Sequence, residues 1–190
     1  FEEINFSVVC YAPGTLIETP DGLRAVETLA SGDEVLTVDR GPLPIRWIRA
    51  AKHSIGGVDG ADYPILIRAG ALCAGRPERD MIVSGQHRVL VGSNDQLEDI
   101  FDQECLVPAK SLVGLPRIHQ MRGKSEITWI HFALDSHELV FAAGCISESL
   151  LLGPMVLNGL TRSETQQLEG IFGPRPMSGE ALNGPPARDL

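Results

Sequence analysis

Thr15-Leu16-Ile17-Glu18-Thr19-Pro20-Asp21-Gly22-Leu23-Arg24-Ala25-Val26 is the stretch that decides the fold. Two short apolar runs flank Pro-Asp-Gly, in which proline presets a turn and glycine supplies a positive φ, so the segment predicts a β-hairpin. Outward from it, apolar runs stay short and are bounded by Gly and Pro, which predicts many short strands and an all-β fold. Glu27–Leu29 reads as one helical turn. Glu34–Asp39 and Ile45–Lys52 read as strands split by Gly41-Pro42. Pro64–Arg68 and Met81–Val83 follow a glycine-rich loop at Gly56–Gly60, and then come His87–Val91 and Glu104–Pro108. The polar stretches Gly92–Glu104 and His119–Ser125 read as exposed connections.

In Trp129-Ile130-His131-Phe132-Ala133-Leu134 the period of two puts Ile130, Phe132 and Leu134 on one face and Trp129, His131 and Ala133 on the other. An extended path beyond Leu134 would place Asp135 and His137 on the face of His131. Leu139–Ala143 and Cys145–Leu152 complete the apolar part. Thr161–Phe172 reads as a short helix capped by Thr161 or Ser163, and Gly173–Leu190, rich in Gly and Pro, as a loose tail.

With 190 residues and a formal charge of -9, the chain has room for one core and lacks the Lys/Arg clusters that bind phosphates, so nucleic acid is not an expected partner. The most apolar run, Leu150–Leu157, is broken by Gly153-Pro154 and is far short of the roughly 20 residues that span a bilayer; no membrane contact is expected. Phe1–Val9 carries acidic residues and no basic stretch, so it does not read as a signal peptide. Cys10, Cys73, Cys105 and Cys145 are scattered, without metal-site spacing, and no metal or cofactor is expected. Cys73, Cys105 and Cys145 read as core residues or incidental thiols.

Three motifs carry chemistry. Cys10-Tyr11-Ala12-Pro13-Gly14-Thr15-Leu16-Ile17 places a cysteine before a Gly-Thr strand start; Ser84-Gly85-Gln86-His87 follows; His137-Glu138-Leu139-Val140-Phe141-Ala142-Ala143-Gly144 closes the series. Against a functional role stand the structural readings of Cys10 as a small buried hydrophobe, Ser84 as a turn serine, and His87, His131 and His137 as satisfied histidines. In this order the three resemble the hedgehog/intein (Hint) domains, with Ser84 where that family's TxxH motif has threonine. The bacterial intein-like group is the nearest resemblance.

The resemblance implies a compact, mostly antiparallel fold over Cys10–Leu152, an upstream segment 1–9, and an extension 153–190. It implies autocatalytic processing, in which the Cys10 thiol attacks the Val9–Cys10 peptide bond and forms a thioester. The chain's own upstream polypeptide is then the substrate, and water, a thiol or an amine is the acyl acceptor. Ser84 would hold the amide or the imidazole, His87 would protonate the leaving amine, and His131 and His137 would supply further acid/base function. The family's C-terminal aspartate would fall near Ile130, which leaves Asp135 as a substitute. Splicing inteins end in His-Asn, whereas the matching stretch here is Ser147-Glu148-Ser149. A carboxylate lacks the amide nitrogen that forms a succinimide, so cleavage without full splicing is expected, and there is no room for an inserted endonuclease. The alternatives are a cysteine hydrolase acting on other molecules and a non-catalytic β-rich interaction module.

Overall fold

The computed structural model describes residues 8–55 and 63–190; the expected loop at Gly56–Gly60 and residues 1–7 of the upstream segment lie outside the described residues. The hairpin that opens the fold is β1 (Leu16–Thr19) with β2 (Gly22–Ala25), in register at Thr19 and Gly22. Gly22 takes φ 106°, a region that an L side chain rarely enters, and this lets Pro20-Asp21 close the turn. A 3-10 turn at Val26–Thr28 leads to β3 (Glu34–Thr37). The expected break at Gly41-Pro42 is instead β4 (Gly41–Pro44), paired with β3 through Leu36–Pro42 and Glu34–Pro44. Among the described residues it pairs with β3 alone, and an edge strand tolerates prolines because its outer N–H groups need no partner.

The chain continues through β5 (Trp47–Ser54), β6 (Ile65–Ile67), β7 (Met81–Val83), β8 (Arg88–Val91) and β9 (Cys105–Pro108). Next come β10 (Ile118–Gln120), β11 (Glu126–Ala133), β12 (Leu139–Ala142) and β13 (Cys145–Glu148), then helices α1 (Pro154–Asn158) and α2 (Arg162–Phe172). His119 and Gln120, expected in a polar connection, belong to β10, an edge strand whose polar side chains face outward or lie half-buried. The largest sheet runs β2-β1-β12-β13-β8-β9, with β3 also on β12; β10-β6-β7 and β11-β5 form the others.

The segment entering β1 joins the last two sheets. Tyr11 N donates to Ile130 O and Ile130 N to Tyr11 O, at 2.8 and 2.9 Å, while Ala12 N donates to Ile82 O at 2.9 Å. Cys10–Ala12 therefore lies between β7 and β11, at the centre of the molecule. β11 divides the core as its alternation predicts: Ile130, Phe132 and Leu134 enter one apolar cluster, and Trp129 and Ala133 enter a second that holds Val8, Val9 and Cys10.

Two polar segments are more structured than their composition suggests. Within the loop between β8 and β9, Gln96 is fully buried; its Nε2 donates to Leu90 O and Ile146 O, and its Oε1 accepts from Ile146 N. The tail is irregular yet tied down. Asn183 accepts from Leu152 N and donates to Leu150 O, both at 2.8 Å, and Arg188 pairs with Asp39 and Glu104.

Candidate active site

Ser84-Gly85-Gln86-His87 forms the turn between β7 and β8, which belong to different sheets. His87 N donates to Ser84 O at 3.1 Å, and the turn is pinned from outside by Ala109 N on His87 O and Lys110 N on Gly85 O. This delivers Ser84 to the chain around Cys10. Ser84 N donates to Cys10 O at 3.1 Å, the Ser84 Oγ accepts from Cys10 N at 3.1 Å, and it donates to Val8 O at 2.6 Å. One hydroxyl thus brackets Val9 and grips the nitrogen of the Val9–Cys10 bond. Ser84 contacts the amide and not an imidazole.

The thiol meets β11. Cys10 Sγ lies 3.4 Å from His131 Nδ1, because His131 shares the face of Trp129 and Ala133 that lines the second cluster. Trp47 stacks on His131 with ring centroids 5.2 Å apart, and Arg49 stands opposite it in register on β5. Burial pushes the Cys10 thiol well above its ordinary range, opposed by the charge of Arg49 and by the nearby Ser84 side chain. Burial also holds the His131 imidazole down at about 4, with Arg49 acting in the same direction and Glu164 against it. At neutral pH the resting pair is therefore a thiol and a neutral imidazole. With the thiol donating to Nδ1, the ring proton sits on Nε2, which is buried without a partner among the described residues.

His87 is wholly buried, its ring 4.3 Å from that of Tyr11 and tilted by 59°. Among the described residues neither ring nitrogen has a hydrogen-bond partner of ordinary geometry. Burial lowers its pKa to about 3, opposed by the nearby Cys10 backbone. His137 is held elsewhere: Ala187 N donates to its Nδ1, so its Nε2 donates to the buried Glu148 carboxylate at 2.9 Å. Asp135 is not brought in. β11 ends at Ala133, the chain bends, and the exposed Asp135 carboxylate pairs with Arg46 at 3.1 Å.

Residues that sequence reading left without a role complete the surroundings. Tyr11 Oη hydrogen bonds with Ser147 Oγ at 2.6 Å and donates to Glu148 O at 3.2 Å. Glu148 also accepts from Arg88 N at 2.9 Å. Its place in the buried pattern after Gly144 was a usable signal; Arg49 and Glu164 offered none. Cys145 is buried, its Sγ 3.0 Å from Ala142 O, and burial pushes it up to about 12. Among the described residues no group of three His, Cys, Asp or Glu side chains is placed to hold a metal.

Comparison with known proteins gives a family match over most of the chain: the Hint domain model covers residues 9–154. No curated protein matches the sequence. Among solved structures, the bacterial intein-like domain from Clostridium thermocellum is 11% identical, with a TM-score of 0.49, covering 74% of this chain and 97% of its own. The DnaB intein from Synechocystis sp. PCC 6803 is 11% identical, TM-score 0.46, covering 74% and 98%. The gp41-1 intein is 14% identical, TM-score 0.45, covering 73% and 97%.

Proposed function

Because the chain belongs to the Hint domain family, which supports self-processing in general, we propose that it breaks its own Val9–Cys10 bond by an N-to-S acyl shift. The observation that carries this reading is the convergence on Cys10 of Ser84 at its nitrogen and His131 at its sulfur. Neutral His131 takes the Sγ proton on Nδ1. The thiolate then attacks the Val9 carbonyl carbon, the new C–S bond forms, and the C–N bond to Cys10 breaks. The leaving amine takes up one proton. Since burial keeps both His131 and His87 neutral at rest, the proton released by the thiol is the one available to it. His87, beside the Cys10 backbone, is placed to pass a proton on, and a buried imidazolium gives it up readily.

Water, a thiol or an amine resolves the thioester and releases the upstream segment. Cys10 is 3% exposed, and Val8 and Val9 are packed beside it, which supports reaction with the chain's own backbone over hydrolysis of outside substrates. Glu148 has no amide to cyclise, and its carboxylate is engaged by His137 and Arg88, which supports cleavage without splicing. Incubating the purified chain with a small thiol tests the reading. Intact-mass measurement should show loss of residues 1–9 in the parent and none in Cys10→Ala; cleavage at that bond in Cys10→Ala would remove the nucleophile from the account.

A further inference from the structure

His131 faces more than the thiol. Its register partner Arg49 lies directly across the β5–β11 pair, where side chains share one face with Cβ atoms about 5 Å apart. Arg49 Nη1 is in turn 2.7 Å from Glu164 Oε1. Glu164 sits in the first turn of α2, beyond residue 154, where the family match ends. Its second oxygen accepts from the Thr161 N–H and hydroxyl, both at 2.8 Å, while Thr161 Oγ1 accepts from Glu164 N, so the carboxylate is fixed by the capping box of its own helix. Leu168 anchors that helix in the apolar cluster that contains Val8, Val9 and Cys10. The series running back from the nucleophile is thiol, imidazole, guanidinium, carboxylate.

We propose that Arg49 and Glu164 are positioning residues of the processing reaction, and that through them helix α2 sets the pH at which His131 accepts the Cys10 proton. This rests on the role given to Cys10 and His131 above. Among the described residues, the titratable and charged groups that bear on His131 are Cys10 from the central segment, Arg49 from β5 and Glu164 from α2. A cation opposite the ring opposes its protonation, and a carboxylate behind that cation partly cancels the effect. When the proton moves from Sγ to Nδ1, the imidazolium lies between a thiolate and Arg49. Glu164 then brings the four-group array to zero net charge, which limits the cost of forming it away from water.

Removing each partner should therefore move the acid limb of the rate profile in opposite directions. In Glu164→Gln the loss of that carboxylate from beside Arg49 keeps the ring neutral to lower pH, and the weaker base lowers the plateau rate. In Arg49→Met the ring becomes protonated at higher pH. The test is the first-order rate of Val9–Cys10 cleavage from about pH 2.5 to 8 at fixed thiol, with folding followed by circular dichroism. The expected shifts are about half a unit or more downward for Glu164→Gln and about one unit upward for Arg49→Met. Glu126→Gln, which removes the exposed pair with Lys52 on the same two strands, should leave the limb in place.

The same opposed movement should appear in the His131 ring-nitrogen NMR titration of the Cys10→Ala protein, which reads the array without cleavage. A rate loss with an unmoved limb, or coincident His131 titrations with and without Glu164, would overturn the proposal and leave the cysteine chemistry standing. Cleavage persisting in Cys10→Ala would overturn both.

Discussion

Ser84 makes the geometry at Cys10 a matter of one hydroxyl. Its Oγ accepts from the nitrogen of the bond to be broken and donates to the carbonyl of Val8, so the peptide plane of Val9 is fixed from both sides. Removing that oxygen in Ser84→Ala leaves the backbone bond from Ser84 N to Cys10 O and should leave the fold intact. It should slow processing by roughly a hundredfold, the cost typical of losing one preorganised polar contact at a reacting centre. Ser84→Thr keeps the hydroxyl and should retain the rate within a few-fold. Single-turnover rates for the two variants check this; equal rates in Ser84→Ala and the parent would show that the bracket plays no part. That Ser84 and His87 lie beside Cys10 was legible in the sequence because each sits in a short motif. Asp135 misled because the extended path assumed beyond Leu134 ends at Ala133, which turns Asp135 to solvent. Arg49 and Glu164 were invisible because they meet only through strand register and the docking of a helix from another part of the chain.

At the scale of elements, the short segment Cys10–Ala12 joins two sheets, and Tyr11 is its anchor. Tyr11 Oη reaches across to Ser147 Oγ and Glu148 O on β13 from a wholly buried position. Tyr11→Phe leaves the Ser147 hydroxyl and the Glu148 carbonyl buried with one partner fewer, which costs about 1–3 kcal/mol. The urea midpoint should fall by that amount divided by an unchanged m value; an unmoved midpoint would mean that β13 and the central segment are held by packing alone. The element pattern itself was largely readable, since period-two alternation and Gly/Pro punctuation are local signals. β11 splits the core as its alternation predicts. β4 escaped because prolines argue against strands in general, and only the knowledge that it is an edge removes the objection. The burial of Gln96 escaped for a related reason: its three bonds join backbone groups of β8 and β13 that sequence separation hides.

Across the whole molecule, two imidazoles are buried neutral, and this couples stability to pH. His87 and His131 titrate at about 3 and about 4 in the folded chain, against about 6.5 in an unfolded one. Between those limits the unfolded state binds protons that the folded state does not, so the stabilisation is fully present above about pH 6.5 and is lost as the pH falls. The loss approaches about 1.4 kcal/mol per pH unit for each histidine. Urea unfolding of Cys10→Ala between pH 7 and pH 4.5 should show that decline; a flat profile would mean that the rings are solvated or charged at rest. The C-terminal tail contributes to the same enclosure, through Asn183 on Leu150 and Leu152 and Ala187 on His137, contacts that composition alone did not announce. The central claim is that a thioester forms at Val9, and hydroxylamine reads it directly. Added to the purified chain at neutral pH, it should release a fragment ending in a Val9 hydroxamate and leave a product beginning at Cys10, with neither appearing in Cys10→Ala. A fragment ending in an ordinary Val9 carboxylate at any hydroxylamine concentration, or an uncleaved chain, would contradict the account.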